Sequence, residues 1–319
     1  MIVVTGALGF IGRNMCKFLN SLGYEDLILV DSPTKWENAI DLRFSDLLDY
    51  RKGTDYLSKS IKSYIRKISV IFHIGAKTDV LLRDINSMME YNFEHSKMWL
   101  EIALNNSIPL IYVSSSAIYG NSGCFRVDFE CEHPHNEYAF SKYAFDCYVR
   151  HALKYSHNNK VIGFRVFYVF GLGESHKDKN ASIPYRFYRF ILDKGYIDLF
   201  QESIRRDYVW VVDVCRVLYE AWKRCDIENG IYNLGSGEPV SHQEVAEIVI
   251  QTMAEEGVVD AKHMQKYIVG VEMPSDIKSR FQFYTKAEEL MPWIKEITSG
   301  NREKIRGYIK QLCEISKTS

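Results

Sequence analysis

Short apolar runs alternate with longer amphipathic segments through the first half of the chain, an alternation that predicts a parallel sheet covered by helices on both faces. Ile2 to Thr5, Leu27 to Val30, Val70 to Ile74, Leu110 to Val113 and Val161 to Phe167 are rich in Val, Ile and Phe, as strands buried on both sides require. Between them, Phe10 to Leu22, Met88 to Asn105 and Glu137 to His151 carry apolar residues at helical spacing and are long enough to be crossovers. The second half is less regular. Asn180 to Gly195 is predicted as a helix, Tyr208 to Val212 as a strand, Val214 to Lys223 as a helix and Ile231 to Asn233 as a further strand; from Ser241 the chain is mostly helical and charged. The expected fold is α/β, a doubly wound parallel sheet from residues 1–170 and 206–237 with a smaller, mostly helical lobe from 171–205 and 238–319.

Composition narrows the function classes. With 46% apolar and 25% charged residues in 319, the chain is neither disordered nor a disulfide mini-protein. Lys and Arg total 40 against 41 Asp and Glu, a balance that provides no general field for a polyanion, so nucleic acid is not an expected partner. The run from Val161 to Leu172 is too short for a bilayer span and contains Arg165, so no membrane partner is expected either. The opening residues lack the features of a signal peptide, and a cytoplasmic location is expected. Seven scattered cysteines, never in a CxxC pair, are expected to be reduced thiols. His73, His95, His133, His135 and His176 show no zinc-site spacing, so they are expected in the core or on the surface and no metal is expected.

Two constellations carry chemistry. Gly6-Ala7-Leu8-Gly9-Phe10-Ile11-Gly12 follows the first predicted strand and opens the first helix, the Rossmann context in which a glycine fingerprint binds a dinucleotide. The first glycine permits the tight turn, the second lets backbone N–H groups approach a pyrophosphate at the helix N-terminus, and the third lets helix and strand pack closely. Asp31, ending the second strand, is placed to accept from the adenosine ribose, whereas Lys35 can bind a 2'-phosphate, so charge alone leaves NAD and NADP open. The second constellation is Ser114-Ser115-Ser116-Ala117-Ile118-Tyr119-Gly120 followed by Tyr138-Ala139-Phe140-Ser141-Lys142. Tyr138 and Lys142 share a helix face, and Ser115 lies at the carboxyl end of a strand, where doubly wound sheets place ligands. A tyrosine titrating near 10 becomes a usable base when an adjacent ammonium and a cationic nicotinamide favour the phenolate.

In this order TGxxGFIG, SSSAxYG and YxxxK resemble the extended short-chain dehydrogenase/reductases, the NAD-dependent epimerase/dehydratase family, whose members act mostly on nucleotide-linked sugars. Phe164 to Gly171, Arg206 to Val214 and Tyr232 to Gly237 resemble later landmarks of that family, so the likeness spans nearly the whole chain. Within it, Glu174-Ser175-His176-Lys177, Leu199 to Ser203, Ser279 to Thr285 and the Thr34-Lys35-Trp36 loop resemble the ADP-L-glycero-D-manno-heptose 6-epimerases, which supply the heptose of lipopolysaccharide inner core. The resemblance implies bound NADP, with NAD possible, and cofactor contacts at Gly6, Gly9, Phe10, Ile11, Gly12, Asp31, Ser32, Lys35, Ala76, Asn92, Tyr138, Lys142 and Val169. It implies Ser115 on the reacting hydroxyl, Tyr138 and Lys177 as acid/bases, and Lys142 on the ribose. A nucleotide-sugar substrate, ADP-heptose, would be held by Ser115, Tyr168, Lys177, Lys179, Arg186, Phe200, Gln201, Glu202, Ser203, Arg206 and Phe281, in a homo-oligomer. Tyr168, Lys179, Arg186 and Phe281 depart from the family's usual residues, all among substrate contacts. Ser116, Ala117 and Ile118 offer no carboxylate beside the serine, which disfavours dehydration. The rival readings are an epimerase or reductase of another nucleotide sugar, and a non-catalytic NAD(P)-binding protein on the same fold.

Overall fold

Ile2, Val3, Val4 and Thr5 form the first strand, β1 (Ile2–Thr5), and all four are buried, so both of its faces are covered. It sits inside a seven-stranded sheet with β2 (Leu27–Asp31), β3 (Asp46–Asp49), β4 (Val70–His73), β5 (Leu110–Ser115), β6 (Val161–Val166) and β11 (Gly230–Leu234), in the order β3-β2-β1-β4-β5-β6-β11. The pairs from β3 through β6 are all parallel. The order reverses between β1 and β4, so the carboxyl ends at Thr5 and His73, which face each other in register, mark the switch point where such sheets bind ligands. This is the doubly wound Rossmann arrangement expected from the strand pattern.

The computed structural model describes residues 1–78, 84–155, 159–260, 266–278 and 282–318. Two compact units emerge: the first comprises 1–122, 127–166 and 214–233, the second 123–126, 167–213 and 234–319. The sheet unit thus takes only 214–233 of the stretch from 206 to 237.

The first unit's helices are α1 (Phe10–Ser21), α2 (Thr54–Ile61), α3 (Ile85–Met88), α4 (His95–Asn105), α5 (Glu137–Leu153) and most of α7 (Val211–Lys223). Trp99 and Leu100 of α4 and Phe145 and Val149 of α5 pack into one core with Val3, Ile28, Tyr112 and Val161 of the sheet. Asn136 caps α5 by accepting from the Ala139 N–H at 2.8 Å. The helix expected over Met88 to Asn105 is broken by a π-helical stretch, Met89–Glu94. β3 was not expected: Asp-Leu-Leu-Asp is a short edge strand with acidic ends and lacks the Val/Ile run of its neighbours.

The second unit has α6 (Ile183–Lys194), α8 (His242–Glu255), α9 (Ser275–Lys278), α10 (Pro292–Thr298) and α11 (Asn301–Thr318). It also holds three two-stranded ribbons: β7 (Tyr168–Phe170) with β10 (Tyr208–Trp210), β8 (Ile197–Phe200) with β13 (Ile268–Val271), and β9 (Arg205–Arg206) with β12 (Val240–Ser241). Phe170, Phe187, Ile191, Leu199, Tyr208, Val249, Met253 and Tyr308 form its core. Of these strands only the one at Tyr208 was predicted, because runs of two to four residues fall below what alternation reveals. Among the cysteines, Cys124 and Cys131 are disulfide-bonded, which corrects the expectation of seven thiols; Cys16, Cys147, Cys215, Cys225 and Cys313 are thiols.

Candidate active site

The chain leaves β1 directly into the glycine turn. Gly6 has φ +65°, and a Cβ on it would lie 2.6 Å from the Cα of Gly75. A Cβ on Gly12 would lie 2.0 Å from the Gly6 carbonyl oxygen. Gly9 differs, since its Cβ would meet only that same oxygen, at 3.2 Å. The protein's own packing therefore demands the outer two glycines, while the middle one leaves space beside the turn, as a pyrophosphate requires. Phe10 is buried and Ile11 half-buried in the first turn of α1. These residues fit a dinucleotide.

Asp31 is buried at the end of β2 and its carboxylate accepts from three directions: Leu8 N–H of the glycine turn at 2.9 Å, Ser32 N–H at 2.7 Å and Lys35 Nζ at 3.2 Å. Ser32 in turn caps the following turn, its Oγ 2.7 Å from Thr34 Oγ1. The predicted ribose-binding acid and phosphate-binding lysine thus form one ion pair, with Lys35 half exposed.

At the end of β4 a buried hydrogen-bond chain crosses the unit. Thr5 Oγ1 accepts from Gly75 N–H at 2.9 Å and lies 2.8 Å from His73 Nδ1, while His73 Nε2 lies 2.7 Å from Ser96 Oγ. Ser96 donates to the Asn92 carbonyl at 2.5 Å. The Asn92 side chain accepts from Lys77 N–H at 2.7 Å and donates to the Lys77 carbonyl and to Ser141 Oγ, each at 3.0 Å. Ser141 donates to the Tyr138 carbonyl at 2.8 Å. Asn92 is fully buried and holds both the N–H and the carbonyl of Lys77, next to Ala76. Burial, then the nearby Lys142, holds His73 well below the usual histidine range, a neutral core histidine as expected.

Ser115 ends β5, and its Oγ accepts from Ala117 N–H at 3.2 Å. Burial raises the Tyr138 phenol, and a hydrogen bond with Ser115 opposes that rise. Lys142 is buried with Nζ donating to the Val113 carbonyl at 2.8 Å, and burial pushes the amine down to about 8 against the pull of Asp146. The hydrogen bond with Ser115 thus favours the phenolate in this arrangement. Behind α5 lies a set of buried charges that the sequence did not reveal: Arg165 is 2.9 Å from Asp146 and 2.7 Å from Glu132, and Arg150 reaches Glu132 at 2.5 Å.

The second unit carries the other expected contacts. Glu174 is fully buried and accepts from Gly171 N–H at 3.1 Å, Ser182 N–H at 2.6 Å, Ser182 Oγ at 2.7 Å and Tyr308 Oη at 3.0 Å. It fixes the turn Ser175–Asn180 that bears Lys177, whose amine is lowered by burial. Arg206 is buried on β9 with its guanidinium 5.0 Å from the centre of the Tyr168 ring. Burial lowers Arg186 on α6 as well. Val169 pairs with Val209 across β7 and β10. Phe200 ends β8, Gln201 and Ser203 are exposed, and Glu202 is 2.8 Å from Lys278. Phe281, with Ser279 and Arg280, lies outside the described residues, as does the side chain of Lys179.

Residues 2–235 match the model of the NAD dependent epimerase/dehydratase family. The chain belongs to this family. Its fold is shared with several solved members at low identity. The Helicobacter pylori ADP-L-glycero-D-manno-heptose-6-epimerase is 24% identical over 97% of this chain and 95% of that one, with a TM-score of 0.79. The Thermotoga maritima UDP-glucose 4-epimerase is 21% identical over 98% and 99%, with a TM-score of 0.77. The Bacillus anthracis dTDP-glucose 4,6-dehydratase, solved with NAD, is 19% identical over 97% and 95%, with a TM-score of 0.75. Among the described residues of this epimerase/dehydratase family member, no helix is long and apolar enough to cross a membrane.

Proposed function

We propose that the chain is a nucleotide-sugar epimerase that inverts C6 of ADP-glycero-manno-heptose. The observation that carries this reading is the Ser115, Tyr138 and Lys142 set at the carboxyl end of β5, with no carboxylate at Ser116, Ala117 or Ile118 to support dehydration. Gly6, Gly9, Gly12, Asp31 and Lys35 would hold the dinucleotide, proposed to be NADP, which supplies a reversible hydride acceptor when bound. Ser115 orients the reacting hydroxyl and Tyr138 takes its proton. Inversion presents the intermediate ketone by its opposite face after rotation about C5–C6, which calls for a second proton carrier, and Lys177 is proposed for it. The lowered basicity of Lys177 suits an amine that must give up and regain a proton near neutral pH. Arg206 is proposed to pair with the diphosphate through its planar fork.

A different nucleotide heptose is the second reading. It is favoured by Tyr168, which stands where the resembling epimerases carry Asn and packs against Arg206.

The test is direct. The released dinucleotide is identified after denaturation, and inversion of ADP-heptose is followed by NMR, with no net change in cofactor redox state expected. Tyr138→Phe and Lys177→Met should each lower turnover by at least roughly 10²-fold while retaining cofactor. Wild-type turnover in Lys177→Met would leave a one-base mechanism, and net cofactor reduction would make the protein a dehydrogenase.

A further inference from the structure

We propose that Asp146 is a positioning residue of this active site, its carboxylate holding the Lys142 side chain in the charged form on which cofactor and tyrosine depend. The inference rests on the reading of Tyr138 and Lys142 as the reacting pair.

Lys142 and Asp146 are four residues apart on α5 and occupy one face, both buried. An amine withdrawn from water favours its neutral form, and that effect pushes Lys142 down to about 8. Little around it restores the charge. β5 offers the neutral Val113 carbonyl and, at its end, the Ser115 hydroxyl, and from β4 the neutral His73 faces it. On α5 itself Tyr138 is held protonated by burial. Among the described residues, the buried carboxylate one turn along the same face of α5 is Asp146, and its charge favours the ammonium.

A buried carboxylate is itself costly unless paired, and this one is fixed on both oxygens. Arg165 Nε donates to Oδ2 at 2.9 Å and Tyr112 Oη donates to Oδ1 at 3.0 Å. Arg165 is fully buried and reaches Glu132, which Arg150 grips with two bonds of 2.8 and 2.5 Å. Burial alone would lower Arg165, yet Asp146, Tyr119 and Glu132 raise it, so the ladder keeps its charge. Signs alternate from the partly exposed Arg150 through Glu132, Arg165 and Asp146 to Lys142, each charge compensating the next.

The experiment needs no substrate. The full chain is labelled with [ε-13C]lysine and titrated by NMR, the Lys142 resonance being assigned by its loss in Lys142→Met. The wild-type midpoint is expected at about 8. In Asp146→Asn it should fall by about one unit or more, and Asp146→Glu should restore most of it. An unmoved midpoint in a folded Asp146→Asn overturns the proposal and leaves the site reading intact. Should Asp146→Asn not fold, Glu132→Gln keeps Asp146 in place and is expected to lower the midpoint in the same direction by less; no movement there overturns the proposal.

Discussion

The two units secure their functional side chains by different means. In the first, Tyr138 and Lys142 stand on a 17-residue helix, and Thr5, His73, Ser96, Asn92 and Ser141 link that helix to the strand ends through successive hydrogen bonds. In the second, Lys177 lies on a short turn and Arg206 on a two-residue strand, and each region depends on one buried acid. Glu174 gathers four donors around the turn. Asp207, next to Arg206, accepts from Ser236 N–H and Oγ at 2.7 and 2.8 Å, Gly237 N–H at 2.9 Å and Ala287 N–H at 2.7 Å. Regular elements spread the constraint over many contacts, whereas irregular ones concentrate it on single carboxylates.

That contrast is sharpest in stability. Glu174→Ala leaves the donors of Gly171, Ser182 and Tyr308 without their acceptor and should cost about 3–5 kcal/mol, with Asp207→Ala similar. Ser141→Ala removes one link of a chain and should cost only about 1 kcal/mol. Urea unfolding measures all three, and equal losses would erase the distinction.

The glycine turn divides in the same way within a single motif. Gly12→Ala places a methyl 2.0 Å from the Gly6 oxygen and should destabilise the first unit by about 2–3 kcal/mol. Gly9→Val should leave the unfolding midpoint nearly unchanged and abolish dinucleotide binding, because its side chain enters the space beside the turn. A Gly9→Val protein that retains its dinucleotide would remove the fingerprint reading.

What the sequence disclosed follows the same division. The buried strands of the sheet, the fingerprint and the Ser/Tyr/Lys set were legible because each is a local pattern: a Val/Ile run, glycines at fixed spacing, two side chains one turn apart. The roles of Glu174, Asp207, Asp146 and Arg165 were not, since partners that define them lie beyond any local pattern, from Arg165 at 19 residues from Asp146 to Tyr308 at 134 from Glu174, and an acid that gathers backbone N–H groups looks in sequence like any surface acid. β7, β8, β9, β12 and β13 escaped for a related reason: strands of two to four residues are defined by the partner they find. Ser141 stood within the quoted Tyr138 to Lys142 motif, yet nothing local showed that it ties Asn92 to the helix.

Both units bury histidines that burial holds neutral, His73 and His95 in the first and His242 in the second, so acid should weaken both. His73 is held well below 6.5 by burial, and His242 is pushed down to about 3 by burial and then by Arg206 and Arg186. Unfolded chains take up a proton below 6.5 that these folded sites refuse, so the stability they contribute is intact above 6.5 and declines as pH falls toward the folded values. Between pH 6.5 and 5 the loss should be about 1.6 kcal/mol for His242, with His73 acting in the same direction. His242→Gln should flatten the fall in urea midpoint without abolishing it; an unchanged slope would mean that His242 titrates normally.

The smallest expected effect tests whether the first unit's shared constraint extends to cofactor choice. Asp31 offers one oxygen to Leu8 N–H and the other to Ser32 N–H and Lys35 Nζ, so Lys35 partly compensates the carboxylate that would repel a 2'-phosphate. Lys35→Ala removes a cation from the phosphate and also leaves Asp31 uncompensated, two changes of the same sign for NADP. For NAD they differ, because a ribose 2'-hydroxyl can donate to the freed oxygen. Lys35 is half exposed and solvent-screened, so the expected change is modest: roughly five- to tenfold weaker NADP binding with NAD unchanged or slightly tighter, read by fluorescence titration of the two dinucleotides. Equal weakening of both would make Lys35 a support of the turn that follows Asp31, and no change in either would return the preference to NAD.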